Sequence, residues 1–315
     1  MLSLKSRSKA IGMTMGDPHG VGPEICAHSC HSFSSLKSHR LVLIGDKKIF
    51  QRFSKKLFPK IDFVDCVSLN IKNYVPGKPT KKSAQAALIY LNKAITLLKK
   101  GAIHGLVTAP LSKESVASLY PRFEGHTEYL AEQFGVSQVG MLFIAPKMKV
   151  IIATRHMALK DVSSAITEEL LLKTAQLTSQ AMKTYFKIKE PRIAFCGLNP
   201  HAGEHSLMGR EEEMIIRPAL EKLKKRGILA NGPFAADTLF VEENAKKYDV
   251  IVSMYHDQGL APIKALYFHK LVNLTIGLPF IRTSPAHGTA FDIAGKGTVN
   301  PSSMIEAVKL AVRLT

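Results

Sequence analysis

Three histidines in this chain each stand just beyond a short run of apolar and β-branched residues. The runs and their histidines are 149–154 with His156, 192–198 with His201, and 250–254 with His256. Runs of this kind predict buried strands, and neighbouring parallel strands end at the same edge of a sheet. A single histidine in such a place is more often an ordinary loop residue. The repeated pattern favours a site where three imidazoles converge on one divalent metal ion.

Other polar residues stand at predicted turns and helix starts. His126 and Thr127 open a predicted helix, whose positive end suits a phosphate or carboxylate, although simple capping is the preferred interpretation of these two residues alone. Arg282, in a donor-rich segment, offers a two-pronged guanidinium for an acidic group. Asp237 follows a loop and is a candidate ligand or acid/base group. The segment 16–24 is a Gly-rich turn that either packs a helix on the sheet or binds an anion, and it lacks the common dinucleotide and phosphate-loop patterns.

The elements that must position these residues alternate between strands and helices along the chain. This alternation predicts an α/β protein with a mainly parallel sheet. At 315 residues the chain is long enough for one or two such domains.

Composition and charge narrow the functional classes. The formal net charge is +18, but the lysines are scattered and form no basic patch interleaved with aromatic residues, so we expect no nucleic-acid partner. Hydrophobic runs are short, which argues against a membrane-spanning helix. The basic start lacks the apolar core of a secretion signal, and we therefore expect a cytoplasmic protein. The four cysteines suggest no disulfide framework, and Cys26 and Cys30 are interpreted as structural residues of a helix.

Several motifs together resemble one enzyme family, the 4-hydroxythreonine-4-phosphate dehydrogenases of the pyridoxine pathway. The motifs are Gly-Asp-Pro-His-Gly-Val-Gly-Pro-Glu at 16–24, Gly-His-Thr-Glu at 125–128, Asn-Pro-His-Ala-Gly-Glu at 199–204, Tyr-His-Asp-Gln-Gly at 255–259, and Gly-Leu-Pro-Phe-Ile-Arg-Thr-Ser-Pro-Ala-His-Gly-Thr at 277–289. More distantly, segments 16–24 and 287–297 are similar to isopropylmalate and isocitrate dehydrogenases. Those enzymes bind NAD(P) without the usual dinucleotide fingerprint, which fits its absence here.

The resemblance implies two α/β domains around a mainly parallel sheet, with an interdomain cleft, as in isopropylmalate dehydrogenase. The expected domains are 1–125 plus 272–315 on the dinucleotide side, and 126–271 for metal, substrate and dimerisation. A homodimer is implied, with the active site near the subunit interface, so that the partner subunit could supply some of the ligands.

The resemblance also implies roles for individual residues. It assigns the metal to His156, His201 and His256, the phosphorylated hydroxy amino acid to His126, Thr127, Lys264, Asn273 and Arg282, and the dinucleotide to His287, Gly288, Thr289 and Asp292. Two departures from the family pattern stand out. His19 replaces a residue that is often small, and Ala286 replaces a residue that is often Asp, which bears on cofactor contacts and on the choice between NAD and NADP.

The implied reaction is NAD(P)-dependent oxidation of 4-phosphohydroxy-L-threonine to a 3-keto acid, which decarboxylates to 3-amino-2-oxopropyl phosphate. Asp237 or Lys264 is the expected base for the alcohol proton. Three histidines suit zinc, cobalt or nickel, while substrate oxygens would also admit magnesium or manganese. The alternatives are a sister dehydrogenase acting on 4-phosphoerythronate or 4-phosphothreonate, and a metal- or anion-binding protein without turnover.

Overall fold

The computed structural model describes residues 8–33, 38–55 and 61–315, and these residues divide into two compact units. Unit 1 contains Met1–Ser137 and Leu278–Thr315, and unit 2 contains Gln138–Gly277. The sequence prediction placed the two boundaries after residues 125 and 271. Because of this difference, the helix that begins with His126 belongs to unit 1. Residues 1–7, part of the basic start used to argue against a secretion signal, lie outside the described residues.

The secondary structure alternates between strands and helices, as the sequence predicts. The strands are β1 Lys9–Thr14, β2 His39–Gly45, β3 Ile61–Asp65, β4 Gly105–Thr108, β5 Gly140–Ile144, β6 Lys149–Ile152, β7 Ile193–Cys196, β8 Ala230–Phe234, β9 Val250–Ser253, β10 Val272–Ile276 and β11 Ile281–Pro285. The helices are α1 Gly22–Ser32, α2 Lys47–Phe50, α3 Lys81–Lys99, α4 Lys113–Ala117, α5 His126–Gln133, α6 Leu159–Ala165, α7 Glu168–Phe186, α8 Arg217–Lys225, α9 Ala236–Leu239, α10 Glu242–Ala245, α11 His256–Tyr267 and α12 Ser302–Leu314. Single turns of other helix types occur at Ile71–Asn73, Pro200–Gly203, Glu212–Ile216 and Phe268–Lys270.

Unit 1 is built on parallel strands in the order β3-β2-β1-β4-β11. The central strands β1 and β4 are almost wholly buried, which explains their continuous apolar sequences. Helix α3 packs on β1 and β2, and α12 packs on β4 and β11. Thr80 caps α3 with a reciprocal pair of hydrogen bonds to Ser83, which lies in the first turn of the helix.

Unit 2 has the strand order β10-β5-β6-β9-β7-β8. Strand β5 runs antiparallel to both of its neighbours, and β6, β9, β7 and β8 are parallel. Helix α7 packs on β5 and β10, and α11 packs on β6 and β9. The α/β class with mainly parallel strands is therefore confirmed. The residues before Asp237, expected to form a loop, instead include strand β8, and Asp237 itself lies in the short helix α9.

The remaining general expectations concern membranes and cysteines. Among the residues described, no helix has both the length and the apolar character needed to cross a membrane. Cys26 and Cys30 are buried and free in α1, and burial raises the pKa of the Cys30 thiol to about 12. Both cysteines therefore behave as core residues, as expected.

Candidate active site residues

The strands that precede the three histidines are neighbours in unit 2. Their order is β6-β9-β7, and all three run parallel, so their carboxyl ends lie at one edge. His156 lies four residues beyond β6, His256 is the first residue of α11 after β9, and His201 lies five residues beyond β7. The sequence-based prediction of three histidines at the ends of adjacent strands therefore agrees with the topology.

Two of the three histidines lie together. The ring centroids of His156 and His256 are 5.5 Å apart with an interplanar angle of 42°. His256 Nδ1 forms a 2.6 Å hydrogen bond with the carboxylate of Asp257. A carboxylate on Nδ1 favours the tautomer that leaves Nε2 free to bind a metal. Arg155, just before His156, donates to the carbonyl oxygen of Val139 at 2.6 Å, which fixes the backbone at the end of β6.

His201 is placed differently. Its side chain is exposed, and its backbone φ of 51° lies in the left-handed region. Within the described parts of the chain, no group of three or more His, Cys, Asp or Glu side chains is arranged to hold a metal ion. One chain thus brings together His156 and His256, and does not bring His201 into a three-residue cluster with them.

Three other predicted site residues belong to unit 2. Lys264 is half-buried on α11, the helix that begins with His256. Asn273 on β10 is only 6% exposed, and its side-chain Oδ1 is buried without a hydrogen-bond partner among the described residues. A buried polar atom of this kind is costly unless a ligand or water satisfies it. Asp237, by contrast, is exposed at the start of α9, where it accepts a 2.8 Å hydrogen bond from the backbone N–H of Thr238.

The residues predicted to bind an anion lie in unit 1 around the start of α5. Gly125 precedes the helix with a φ of 149°, and it provides no side-chain cap. The first helical hydrogen bond runs from the N–H of Tyr129 to the carbonyl oxygen of Gly125, so the N–H groups before it point out of the helix end. The half-buried His126 and the buried Thr127 form this first turn. Arg282 on β11 is 3% exposed and donates to the Thr108 hydroxyl at 2.6 Å.

The electrostatics of this site favour a negatively charged ligand. Burial, together with the charges of Arg282 and Lys113, holds the pKa of His126 well below its usual range. Burial also lowers the pKa of Arg282 to about 10, against a smaller opposing effect of Glu128. Lys113 was not identified from the sequence. Its side chain lies against Gly125, with Nζ 3.4 Å from where a Cβ on that glycine would be. The one local feature that could have indicated a role for Lys113 in the sequence is its position in the first turn of α4.

The residues assigned to the dinucleotide lie in a loop of unit 1 that packs on the Gly-rich turn after β1. The N–H of Val21 donates to the carbonyl oxygen of Thr289 at 2.9 Å. A Cβ on Gly20 would lie 2.9 Å from that same oxygen, so the close approach requires glycine. Further along the loop, the N–H of Gly295 donates to the buried carboxylate of Glu24 at 3.1 Å. The Gly-rich turn therefore supports this loop.

The other members of that loop are less enclosed. His287 is half-buried, and its Nδ1 lies 2.9 Å from the carbonyl oxygen of Gly288. Gly288 and Asp292 are exposed to solvent. The structure thus places the four predicted cofactor residues on one surface loop of unit 1.

Comparisons with known proteins agree with one another. The family model described as "Pyridoxal phosphate biosynthetic protein PdxA" matches residues 34–311. The chain is 38% identical over 319 residues to 4-hydroxythreonine-4-phosphate dehydrogenase of Desulforapulum autotrophicum, covering 96% of this chain and 94% of the relative. It is 39% identical over 322 residues to D-threonate 4-phosphate dehydrogenase of Cupriavidus necator, covering 96% of each.

Solved structures show the same similarity. The crystal structure of 4-hydroxythreonine-4-phosphate dehydrogenase from Klebsiella pneumoniae matches with a TM-score of 0.84 and 33% identity, over 98% of this chain and 99% of that one. Isocitrate dehydrogenase from Methylococcus capsulatus matches with a TM-score of 0.50 and 12% identity, over 96% of this chain and 85% of that one. The second match shows a shared fold only.

Proposed function

The chain belongs to the family of the pyridoxal phosphate biosynthetic protein PdxA, and on that premise we propose that it is a dehydrogenase of 4-phosphohydroxy-L-threonine. The proposed reaction oxidises the substrate's C3 hydroxyl with NAD or NADP. The resulting 3-keto acid loses CO₂ and leaves 3-amino-2-oxopropyl phosphate. The name of the 38%-identical relative from Desulforapulum autotrophicum supports this substrate.

The observation that carries the proposal is the buried guanidinium of Arg282 beside the open first turn of α5. A phosphate group can accept hydrogen bonds from the helix N–H groups while the guanidinium balances its charge. We assign the substrate phosphate to His126, Thr127 and Arg282. His126 is neutral at pH 7 because its pKa is lowered, so it acts as a hydrogen-bonding group and adds no charge. Lys113 adds a second positive charge beside the same helix end.

In unit 2, Lys264 and Asn273 are assigned to the remaining polar groups of the substrate. The unsatisfied Oδ1 of Asn273 is an acceptor held in a buried position, and it suits an ammonium or hydroxyl donor. Lys264 or Asp237 is proposed to take the proton from the substrate hydroxyl. Lys264 is half-buried on α11 and Asp237 is exposed, and their separate replacement distinguishes the two roles.

His156, His256 and His201 are the proposed ligands of one divalent metal ion. The nitrogen donors favour zinc or cobalt, and substrate oxygens would complete the shell of magnesium or manganese. The spacing of His156 and His256 and the carboxylate on His256 Nδ1 fit a metal site. A bound ion would supply Lewis-acid polarisation of the substrate's reacting oxygen.

The dinucleotide is assigned to the loop that contains His287, Gly288, Thr289 and Asp292. Its backbone is supported by the turn at Gly20, which lets the loop keep one conformation while its outer residues remain accessible. A nicotinamide in this position would accept the hydride that leaves C3. Both NAD and NADP remain candidates.

A homodimer is also proposed. Large apolar side chains next to the histidine segments are exposed, namely Met157 and Leu159 beyond His156, and Leu207, Met208 and Met214 beyond His201. Exposed apolar side chains grouped near a site are typical of a surface that another protein covers. A partner subunit on this surface would account for a metal site that one chain leaves incomplete. Leu207→Asp is expected to shift the sedimentation coefficient from dimer to monomer, whereas an unchanged coefficient contradicts this assignment.

A second candidate substrate is D-threonate 4-phosphate, because a 39%-identical relative has that dehydrogenase activity in its name. This compound and 4-phosphoerythronate carry a hydroxyl at C2 in place of the amino group. The phosphate assignment is the same for all three substrates, so the choice depends on the C2 contact alone.

The test is NAD(P)H formation with chelator-treated protein, each phosphorylated substrate, each dinucleotide and an added divalent metal ion. Metal-dependent reduction with 4-phosphohydroxythreonine supports the proposed reaction. Reduction with only a C2-hydroxy substrate favours the second candidate. No reduction with any of the three would contradict a dehydrogenase function, and it would leave a binding protein without turnover.

A further inference from the structure

Glu212 is a buried carboxylate behind the loop that carries His201. Glu212 is only 1% exposed and is the first residue of the π-helical turn Glu212–Ile216. One carboxylate oxygen accepts hydrogen bonds from the backbone N–H groups of Leu198 and Asn199, each at 2.8 Å. The other oxygen accepts from the side-chain Nδ2 of Asn199 at 3.0 Å. Glu212 therefore anchors the chain at Asn199, two residues before His201.

Two glycines leave room for this carboxylate. A Cβ on Gly197 would lie 3.0 Å from Oε1 of Glu212, and a Cβ on Gly203 would lie 2.6 Å from Oε2. Gly197 follows β7 directly, and Gly203 lies two residues after His201. The carboxylate thus fills a space that side chains on either side of His201 would otherwise occupy.

The backbone of His201 needs such support. All six residues from 201 to 206 have positive φ values, and only Gly203 among them is a glycine. A left-handed conformation is unfavourable for a non-glycine residue, so this run persists only where surrounding contacts hold it. The hydrogen bonds from Leu198 and Asn199 to Glu212 provide a fixed point immediately before the run.

From these contacts we infer that Glu212 is a positioning residue, which sets the place of His201 in the metal site by anchoring the strained loop. The inference rests on the proposed role of His201 as a metal ligand. Both oxygens of Glu212 are occupied by donors from the loop, so Glu212 acts through His201 and does not bind the metal itself. Groups that orient a ligand in this way typically change metal affinity by about 10- to 100-fold when they are removed.

The experiment measures the affinity of Co²⁺ for the apoprotein, by competition with a chromophoric chelator, and compares the wild type with variants. Glu212→Gln keeps the size of the side chain, but it turns one oxygen into an amide donor that faces the Nδ2 of Asn199. Glu213→Gln is the matched control, because it removes the same charge one residue away, where the carboxylate pairs with Arg217 on the surface. His201→Ala is measured beside them.

We expect Co²⁺ to bind Glu212→Gln about 10-fold or more weakly, Glu213→Gln like the wild type, and His201→Ala at least as weakly as Glu212→Gln. Gly203→Ala provides a second variant, since its methyl group would displace the same carboxylate. Hydrogen exchange provides a readout that does not involve metal. Glu212→Ala removes the oxygen that accepts from the amides of Leu198 and Asn199, so these amides should lose protection in Glu212→Ala and keep it in Glu213→Ala.

Two failures can be told apart. If His201→Ala weakens Co²⁺ binding and Glu212→Gln does not, the positioning role is refuted while the metal assignment stands. If His201→Ala binds Co²⁺ like the wild type, the proposed metal role of His201 is wrong, and the role of Glu212 falls with it. A variant that only loses thermal stability, with unchanged Co²⁺ affinity, also contradicts the inference.

Discussion

Replacing Arg282 by methionine should make the unliganded protein more stable while it removes phosphate binding. Arg282 is 3% exposed, and at neutral pH its guanidinium is charged in both the folded and the unfolded chain, because pH 7 lies below both pKa values. The structure therefore contains a buried cation whose main role, under the proposed function, is to bind the substrate phosphate. Methionine has a similar length and carries no charge.

The size of the effect follows from the pKa of Arg282. Burial lowers it to about 10, and an exposed guanidinium has a pKa of about 12.5, so at about 1.4 kcal/mol per pKa unit the charged side chain costs roughly 3 kcal/mol in the folded state. Methionine removes this cost. It also leaves the Thr108 hydroxyl, now bonded to Arg282, without that partner, which costs about 1–2 kcal/mol. The expected net gain is about 1–2 kcal/mol.

Urea unfolding with and without inorganic phosphate tests this prediction. In the absence of phosphate, Arg282→Met should unfold at a higher urea concentration than the wild type. Phosphate at about 100 times its dissociation constant should stabilise the wild type by about 2.7 kcal/mol and leave the variant unchanged. Thr108→Val, which removes the hydroxyl partner and keeps the cation, should be destabilised. A variant that is less stable than the wild type, or that phosphate protects equally, would refute the argument.

Three shorter predictions address the other site residues. Gly20→Ala would place a methyl group 2.9 Å from the carbonyl oxygen of Thr289, so a fluorescence titration should show about 10-fold weaker NADH binding, and unchanged binding would count against the dinucleotide assignment. His126 has a folded pKa below its unfolded value of about 6.5, so the stability linked to it is present above that pH and is lost as the pH falls. Urea midpoints of His126→Gln should therefore decline less steeply between neutral and acid pH than those of the wild type, and an equal decline would contradict the burial argument. Asp257→Asn removes the carboxylate on His256 Nδ1 and should weaken Co²⁺ binding about 10-fold, with phosphate protection as the control that must not change.

The parts of the fold that the sequence could predict are those set by local pattern. Each strand before a histidine is a short apolar run that ends in polar residues, and this pattern needs no knowledge of the rest of the chain. The rule that parallel strands end at one edge then led to adjacent histidine strands, and the order β6-β9-β7 agrees with it. The motif at 125–128 also predicted a helix start, and α5 begins at His126, while anion binding at this helix end stays a prediction.

The parts that escaped prediction depend on contacts between distant segments. The left-handed course of 201–206 follows a segment that is hydrogen-bonded to the distant Glu212, and nothing in the residues of the loop itself specifies it. Strand β8 includes Gly232 and Pro233, which favour a turn, but an edge strand tolerates a proline that a central strand would not. Lys113 belongs to the proposed anion site only because its side chain comes close to Gly125 in the folded unit.

The two units differ in how the chain contributes to them. Unit 2 is one continuous segment, whereas unit 1 takes β11 and α12 from the last 38 residues, Leu278–Thr315. During synthesis, unit 2 can therefore finish folding while β4 still lacks its neighbour β11 and the buried face of α12 is missing. The proposed anion site and the proposed dinucleotide loop both need residues from this segment, so we expect them to form only after Leu278–Thr315 has been synthesised. The test is limited proteolysis of ribosome-bound chains that end at Gly277 and are followed by a flexible linker long enough to bring Gly277 out of the exit tunnel. Unit 2 should be protected and unit 1 open to cleavage, and early protection of unit 1 would contradict this order.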